Sequence, residues 1–79
     1  MVVFGRKWLD RKYGNTYHAV CVVVGEGTYF SEVTYGYENQ FLQTAKELIA
    51  KKGIEAGEIT QSFCCWVKSK KDLKFKEGE

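Results

Sequence analysis

The sequence predicts an α+β domain with two layers: a mainly antiparallel, four-stranded sheet and one helix packed on one face, in the order β-β-β-α-β. One stretch has the apolar spacing of a helix, with residues that suit its start and its stop. Four other stretches are rich in β-branched and aromatic residues, and glycine-containing turns separate most of them. Because one amphipathic helix covers only one side of a sheet, the second side needs another cover or a partner.

The length of 79 residues leaves room for one hydrophobic core, so we predict a single domain over residues 1–79. Hydrophobic residues make up 44% of the chain and charged residues 28%, which is typical of a folded globule and excludes disorder as the main state. Residues 76–79 are predicted to fray.

The helix is predicted between Asn39 and Gly53. Asn39 suits the N-cap, where its side-chain oxygen accepts a hydrogen bond from the first turn. Gly53 suits the position after the C-cap, which favours a left-handed backbone, and Ile54 then contacts Ile49. Five apolar residues between these ends recur at the spacing of one helical face: Phe41, Leu42, Ala45, Leu48 and Ile49.

A β-hairpin is predicted near the start of the sequence. Val2–Leu9 mixes apolar and basic residues, and the turn residues Lys12–Asn15 separate it from a second strand, Thr16–Val24. The run Val20–Val24 is apolar on both faces, whereas a strand with one solvated face alternates. Thr16–Val24 is therefore predicted as a central strand that is covered on both faces.

Two more strands complete the predicted sheet. The turn Gly25–Gly27 leads into Thr28–Tyr35, and Gly36 ends that strand before the helix. The last strand is predicted over Ile59–Lys68, followed by a lysine-rich stretch from Ser69 onward. No proline interrupts any of these strands.

The titratable residues form no recognisable catalytic or metal-binding set. Cys64 and Cys65 are adjacent, so their side chains point to opposite faces of a strand, and His18 and Cys21 also lie on opposite faces. The sequence has no Cys-x-x-Cys spacing and no glycine-rich phosphate loop that opens a helix. We therefore expect buried cysteines, no metal, no cofactor and no enzymatic activity.

Three cysteines without a secretory signal indicate reduced thiols. No apolar run reaches the roughly 18–20 residues that a membrane-spanning helix needs. Together these observations predict a cytoplasmic protein.

Aromatic residues near the glycine-containing turns and in the last strand mark a candidate partner-binding surface. The alternative is that these rings only pack the ends of a small core. The candidate residues are Tyr13, Tyr17, His18, Tyr35, Tyr37 and Trp66. The second face of the sheet, with Val20, Val22 and Val24 or the alternate residues of that strand, extends this predicted surface.

The net charge of +2 is unevenly placed. Residues 6–12 hold four basic residues and one acidic residue, and residues 68–76 hold five basic residues and one acidic residue. If the first and last strands lie side by side, the two clusters form one patch suited to nucleic acid. The alternative is that lysines on an edge strand only prevent aggregation. The candidate nucleic-acid residues are Arg6, Lys7, Arg11, Lys12, Lys68, Lys70 and Lys71.

Two segments, residues 11–18 (Arg-Lys-Tyr-Gly-Asn-Thr-Tyr-His) and residues 35–45 (Tyr-Gly-Tyr-Glu-Asn-Gln-Phe-Leu-Gln-Thr-Ala), resemble small uncharacterised proteins encoded by bacteriophages and prophages. The second segment departs from that pattern at Glu38-Asn39, where a Gly-Asp pair is expected. The resemblance implies an origin in a mobile element, a bacterial cytoplasm and action by binding a host factor.

The sequence thus predicts a small non-enzymatic binding module that acts by protein–protein interaction, with a second copy of itself or with a host factor. The alternative function is nucleic-acid binding through the basic residues near both ends.

Overall fold

The computed structural model describes residues 1–25, 27–54 and 57–75. Residues 76–79, where fraying is predicted, lie outside the described residues. The described part has five strands, one α-helix and a 3-10 helix: β1 (Val2–Asp10), β2 (Asn15–Val24), β3 (Gly27–Phe30), β4 (Thr34–Tyr35), α1 (Gln40–Lys51), β5 (Gln61–Trp66) and the 3-10 helix Lys70–Asp72. The predicted α+β class with one helix is confirmed.

The sheet has five strands rather than four and is mixed: three of its pairings are antiparallel, as predicted for most of the sheet, and one is parallel. Its order is β3-β2-β1-β5, and β4 pairs with β2 alongside β3. β1 and β2 form an antiparallel hairpin, whereas β5 runs parallel to β1, with Val2 beside Gln61 and Lys7 beside Trp66. The parallel pairing arises because α1 carries the chain from one edge of the sheet back across to the other, as in a crossover connection.

The predicted strand Thr28–Tyr35 is two strands, because the segment between them leaves the ladder at Ser31. The Val20 amide donates to Ser31 Oγ at 2.9 Å, and the Ser31 amide donates to the Val20 carbonyl at 2.9 Å. A serine side chain thus takes the place of a backbone acceptor, which interrupts regular pairing. The last strand is also shorter than predicted and covers Gln61–Trp66.

Helix α1 ends as predicted but begins differently. Gly53 has a left-handed backbone (φ 71°), and the Ile54 amide donates to the Ile49 carbonyl at 3.2 Å, which is the predicted glycine cap. Asn39 makes no side-chain capping hydrogen bond. The chain enters the helix through a turn, in which the Gln40 amide donates to the Tyr37 carbonyl, so Asn39 lacks the extended backbone that a capping side chain needs.

The main core lies between α1 and one face of the sheet, which we call the helix face. Its buried members are Val3, Val20, Val22, Phe41, Ala45 and Ile49. The alternation of β1, β2 and β5 also places Gly5, Lys7, His18, Cys64 and Trp66 on this face. Three of the five predicted helix-stripe residues are fully buried, because the apolar stripe of α1 packs directly on the valines of β2.

The opposite face of the sheet, which we call the second face, is partly covered by residues 69–75. The Arg6 guanidinium stacks 4.0 Å from the Phe75 ring centroid and donates to the carbonyl oxygens of Asp72 and Lys74. Leu73 in this segment is fully buried, and so is Ala19, which pairs with Arg6 in the sheet. The segment therefore supplies the second cover that the apolar run of β2 predicts.

Candidate interaction surfaces

His18 is a core residue rather than a surface residue. It is 1% exposed and lies on the helix face. Its Nδ1 is 3.1 Å from the Gly36 carbonyl oxygen, and its Nε2 contacts Thr44 Oγ1. Since a carbonyl only accepts, Nδ1 is the donor, and Nε2 accepts from the threonine hydroxyl. His18 thus ties the bend before α1 to the helix and takes no part in a contact surface.

Three aromatic residues form a row across three strands of the second face. The rings of Trp8 and Tyr17 stack with centroids 6.0 Å apart, and Tyr17 meets Tyr35 edge-on at 5.6 Å. The two residues of each pair lie directly opposite each other on neighbouring strands: Trp8 pairs with Tyr17, and Tyr17 pairs with Tyr35. Tyr35 is exposed, whereas Trp8 and Tyr17 are half-buried, so the row is both packing and accessible surface.

The other predicted aromatic contact residues lie at the same end of the sheet. Tyr13 is in the β1–β2 turn, with the Lys12 ammonium 5.3 Å from its ring centroid. Tyr37 follows the bend after β4, and Trp66 is the last residue of β5. All three are more than half exposed. Apart from His18, the structure therefore gathers the predicted partner-binding residues near one end, which we call the hairpin end.

Several of the predicted basic residues converge because β1 and β5 are neighbours. Arg6 and Lys7 nevertheless point to opposite faces. Lys7 lies on the helix face, with its ammonium 5.3 Å from the Phe41 ring centroid and 5.7 Å from that of Trp66. Lys7 thus contacts aromatic rings of its own chain, while Arg6 contacts residues 69–75, the segment that covers the second face.

Two adjoining concavities lie where β1 and β5 end, and both have Trp66, Val67 and Lys68 in their walls. We call them together the tryptophan groove. The first extends to Trp8, Leu9 and Arg11, and the second extends to Arg6, Lys71, Asp72 and Lys74. Five basic side chains and one acidic side chain therefore line the groove, together with both tryptophans of the chain. The groove is therefore both aromatic and basic.

β5 forms one edge of the sheet and is exposed along its whole length. Among the described residues it pairs with β1 alone. All six residues are exposed, and none is charged. Phe63 stacks on Phe4 of the neighbouring strand with ring centroids 5.4 Å apart, yet remains 52% exposed. An uncharged edge of this kind is a template for another strand.

The cysteines differ from the prediction that all would be buried. Cys21 is buried in β2, but Cys64 and Cys65 are exposed because β5 is an edge strand. Partial burial raises the pKa of the Cys64 thiol above its usual value; the Lys7 ammonium opposes this change and the Cys65 thiol reinforces it. A raised pKa keeps this thiol protonated at neutral pH, which makes it a weak nucleophile and a weak metal ligand.

Within residues 1–25, 27–54 and 57–75, no three metal-ligating side chains of the His, Cys, Asp or Glu type come together. In the same part of the chain no helix is long and apolar enough to cross a membrane. Comparison with protein-family models, curated proteins and solved structures returns no match.

Two features of these surfaces are not predicted from the sequence. The first is the cover formed by Leu73 and Phe75, which lies in the lysine-rich stretch after Ser69; the two apolar residues among its lysines are the signal for it. Trp8 is the other: the sequence places it within the predicted strand Val2–Leu9, and the structure places it in the aromatic row and at the wall of the tryptophan groove. The valines named as an extension of the partner surface, Val20 and Val22, are fully buried under α1.

Proposed function

We propose that this chain is a non-enzymatic protein-binding module and that its partner is a second copy of itself. The observation that carries the proposal is the open edge of β5. Backbone N–H and C=O groups along an edge strand have a strong requirement for partners, and an added strand satisfies them directly. The six residues of β5 are enough for such a ladder, since typical strands are about 5–6 residues long.

The two edges of the sheet differ in a way that supports this proposal. At the other edge the chain is broken into β3 and β4, of four and two residues, with the interruption at Ser31 between them. Short and interrupted edge strands are a common protection against pairing. β5 lacks this protection, because it has no break, no proline and no charged residue.

A two-fold axis perpendicular to the sheet brings two copies of β5 together antiparallel. Such an interface is isologous, so each copy contributes the same patch and the assembly closes at two. The joined sheet has ten strands, with both helices on one side. Side chains of like faces then meet across the junction, which covers Phe63 and Cys65 of each copy on the second face.

Sedimentation velocity over a range from micromolar to hundreds of micromolar protein tests this proposal. We expect the mass to rise with concentration from that of one chain to that of two. Cys65→Lys places a charge on β5 close to its own symmetry mate, so we expect it to weaken self-association by about tenfold or more. A wild-type chain that stays monomeric over the whole range would contradict the proposal.

Thr28→Lys is the matched control for that variant. Thr28 is exposed and lies on the second face of β3, at the opposite edge of the sheet. The same charge is therefore added to an edge strand away from the proposed interface. We expect self-association of Thr28→Lys to equal that of the wild type, and a loss equal to that of Cys65→Lys would argue against β5 as the interface.

From the sequence we also propose that the chain originates in a phage-type element, acts in a bacterial cytoplasm and has no enzymatic activity. These proposals fit a module whose accessible features are an open strand and aromatic rings. A host factor is the other candidate for the β5 edge, and it would be recognised by a strand of its own that pairs there.

A further inference from the structure

We propose that the hairpin end of the sheet is a binding site for single-stranded nucleic acid. The proposed path runs from the aromatic row on the second face, past the ends of β1 and β5, into the tryptophan groove, where Trp66 belongs to the helix face. This inference does not require self-association through β5, because the rings and cations belong to one copy of the chain; Trp66 alone is also part of the β5 edge.

The charge of the groove favours a polyanion. Its walls contain five basic side chains against the single acidic residue Asp72. Two of the five already have partners within the chain: Arg6 holds Phe75 and two carbonyl oxygens, and the Lys74 ammonium lies 3.5 Å from a Glu32 carboxylate oxygen. We therefore assign phosphate contacts to the other three, which are exposed: Arg11, Lys68 and Lys71.

The rings favour a polyanion that carries unpaired bases over polyanions without bases. Tyr35, Tyr17 and Trp8 form a continuous aromatic row on the second face that ends at the groove. Trp66, on the helix face, stands 63% exposed in the wall of the groove. Bases of a single strand stack on such rings with little dependence on sequence, whereas bases within a duplex are already stacked on each other. Exposed rings beside a basic groove are the features expected of a single-strand site.

The geometry of the sheet fits a short segment of the strand. The row and the groove cross the end of four neighbouring strands, from β4 through β2 and β1 to β5. Strands lie about 4.8 Å apart, so this path is roughly 14 Å wide. We therefore expect a small site, at the lower end of the range of about 4–16 nucleotides known for single-strand sites.

Fluorescence anisotropy with a labelled oligothymidylate of about 12 nucleotides tests the proposal, with a duplex of equal length beside it. We expect the single strand to bind more tightly and to quench tryptophan fluorescence. With about three phosphate contacts, log affinity should fall against log salt with a slope of about −2. Binding that is equal for the duplex, or no binding at low salt, would overturn the proposal.

Variants with a matched control assign the site. Lys68→Glu should weaken binding by about tenfold and make the salt slope shallower, because it removes one phosphate contact and adds repulsion. Lys46→Glu makes the same change at an exposed position in the middle of α1, outside the groove, and should weaken binding by less than about twofold. An equal loss in both variants would show binding by net charge alone and would overturn the assignment.

The stacking part is tested separately with Trp66→Ala and with a competitor that has charge but no bases. Trp66 is exposed at the end of an edge strand, so its removal should leave the fold intact while weakening binding by about tenfold. Polyglutamate should displace the oligonucleotide only weakly. If it competes as well as a single strand of equal charge, the groove is a site for acidic polypeptides, and the nucleic-acid proposal fails.

Discussion

The Phe41 ring of α1 lies directly against the backbone of Gly5 in β1. A Cβ atom added to Gly5 would lie 2.7 Å from Phe41 Cδ2 and 3.2 Å from the Cys64 sulfur. Both distances are shorter than ordinary van der Waals contact, so the absence of a side chain at residue 5 sets how closely the helix approaches the sheet.

Gly5→Ala should therefore destabilise the protein by about 1–3 kcal/mol through overpacking. Urea unfolding followed by tryptophan fluorescence measures this change. Phe41→Leu in the Gly5→Ala background should recover part of the loss, because it removes the ring atoms that clash. Gly57→Ala is the control: no atom lies near its added Cβ, and its stability should stay within about 0.5 kcal/mol of the wild type.

His18→Ala should cost about 2–4 kcal/mol, because it leaves a cavity and removes hydrogen bonds to Gly36 and Thr44. The bend at Gly36 should also loosen, which hydrogen exchange at the Gly36 amide reports, since that amide donates to the Thr16 carbonyl. Thr44→Val keeps the shape but loses one hydroxyl, so its cost should be nearer about 1 kcal/mol. Unchanged exchange at Gly36 in His18→Ala would contradict this account.

Leu73→Ala should destabilise the protein by about 2–5 kcal/mol, the range for truncating a buried leucine. Because residues 69–75 cover the second face, we also expect Cys21 to become more reactive toward a thiol reagent in this variant. Leu9→Ala removes the same group from a position that is 41% exposed and should cost less than about 1 kcal/mol. Equal costs for the two variants would mean that Leu73 does not hold the cover in place.

Alkylation of Cys64 should reach its half-maximal rate at a higher pH than alkylation of an ordinary thiol, because partial burial raises its pKa. A raised pKa means that less of the Cys64 thiol is thiolate at neutral pH, so native Cys64 reacts slowly at that pH. The difference from an ordinary thiol disappears once the pH exceeds the raised pKa. Mass spectrometry of the Cys65→Ser variant after treatment with iodoacetamide measures this reaction, because Cys64 is then the only cysteine left in β5. The same measurement in urea should return the profile of an ordinary thiol, and identical native and denatured profiles would contradict the prediction.

The local features of the helix were predictable from the sequence. The apolar stripe and the glycine at its end depend on residues within one or two turns of each other, and the structure shows Phe41, Ala45 and Ile49 buried and Gly53 as the cap. The failed side-chain cap at Asn39 shows the limit of such signals, because its backbone is set by the preceding turn rather than by its own preference.

The direction and neighbours of β5 were not predictable in the same way. Its residues have no preference for parallel over antiparallel pairing, and its place beside β1 follows from where α1 ends after crossing the sheet. The exposure of Cys64 and Cys65 follows from that place. Contacts between residues distant in the sequence therefore determine the direction and neighbours of β5, and with them the position of the tryptophan groove.

The cover on the second face has a consequence for the order in which the fold completes. β1 and β2 are neighbours in the chain, but β1 gains its second neighbour only after residue 60, and Leu73 follows later still. Contacts that close long loops form late because their entropy cost precedes their gain. During synthesis the hairpin can form while the ribosome still holds residues 69–75, so Ala19 and Cys21 stay open to solvent until that segment emerges.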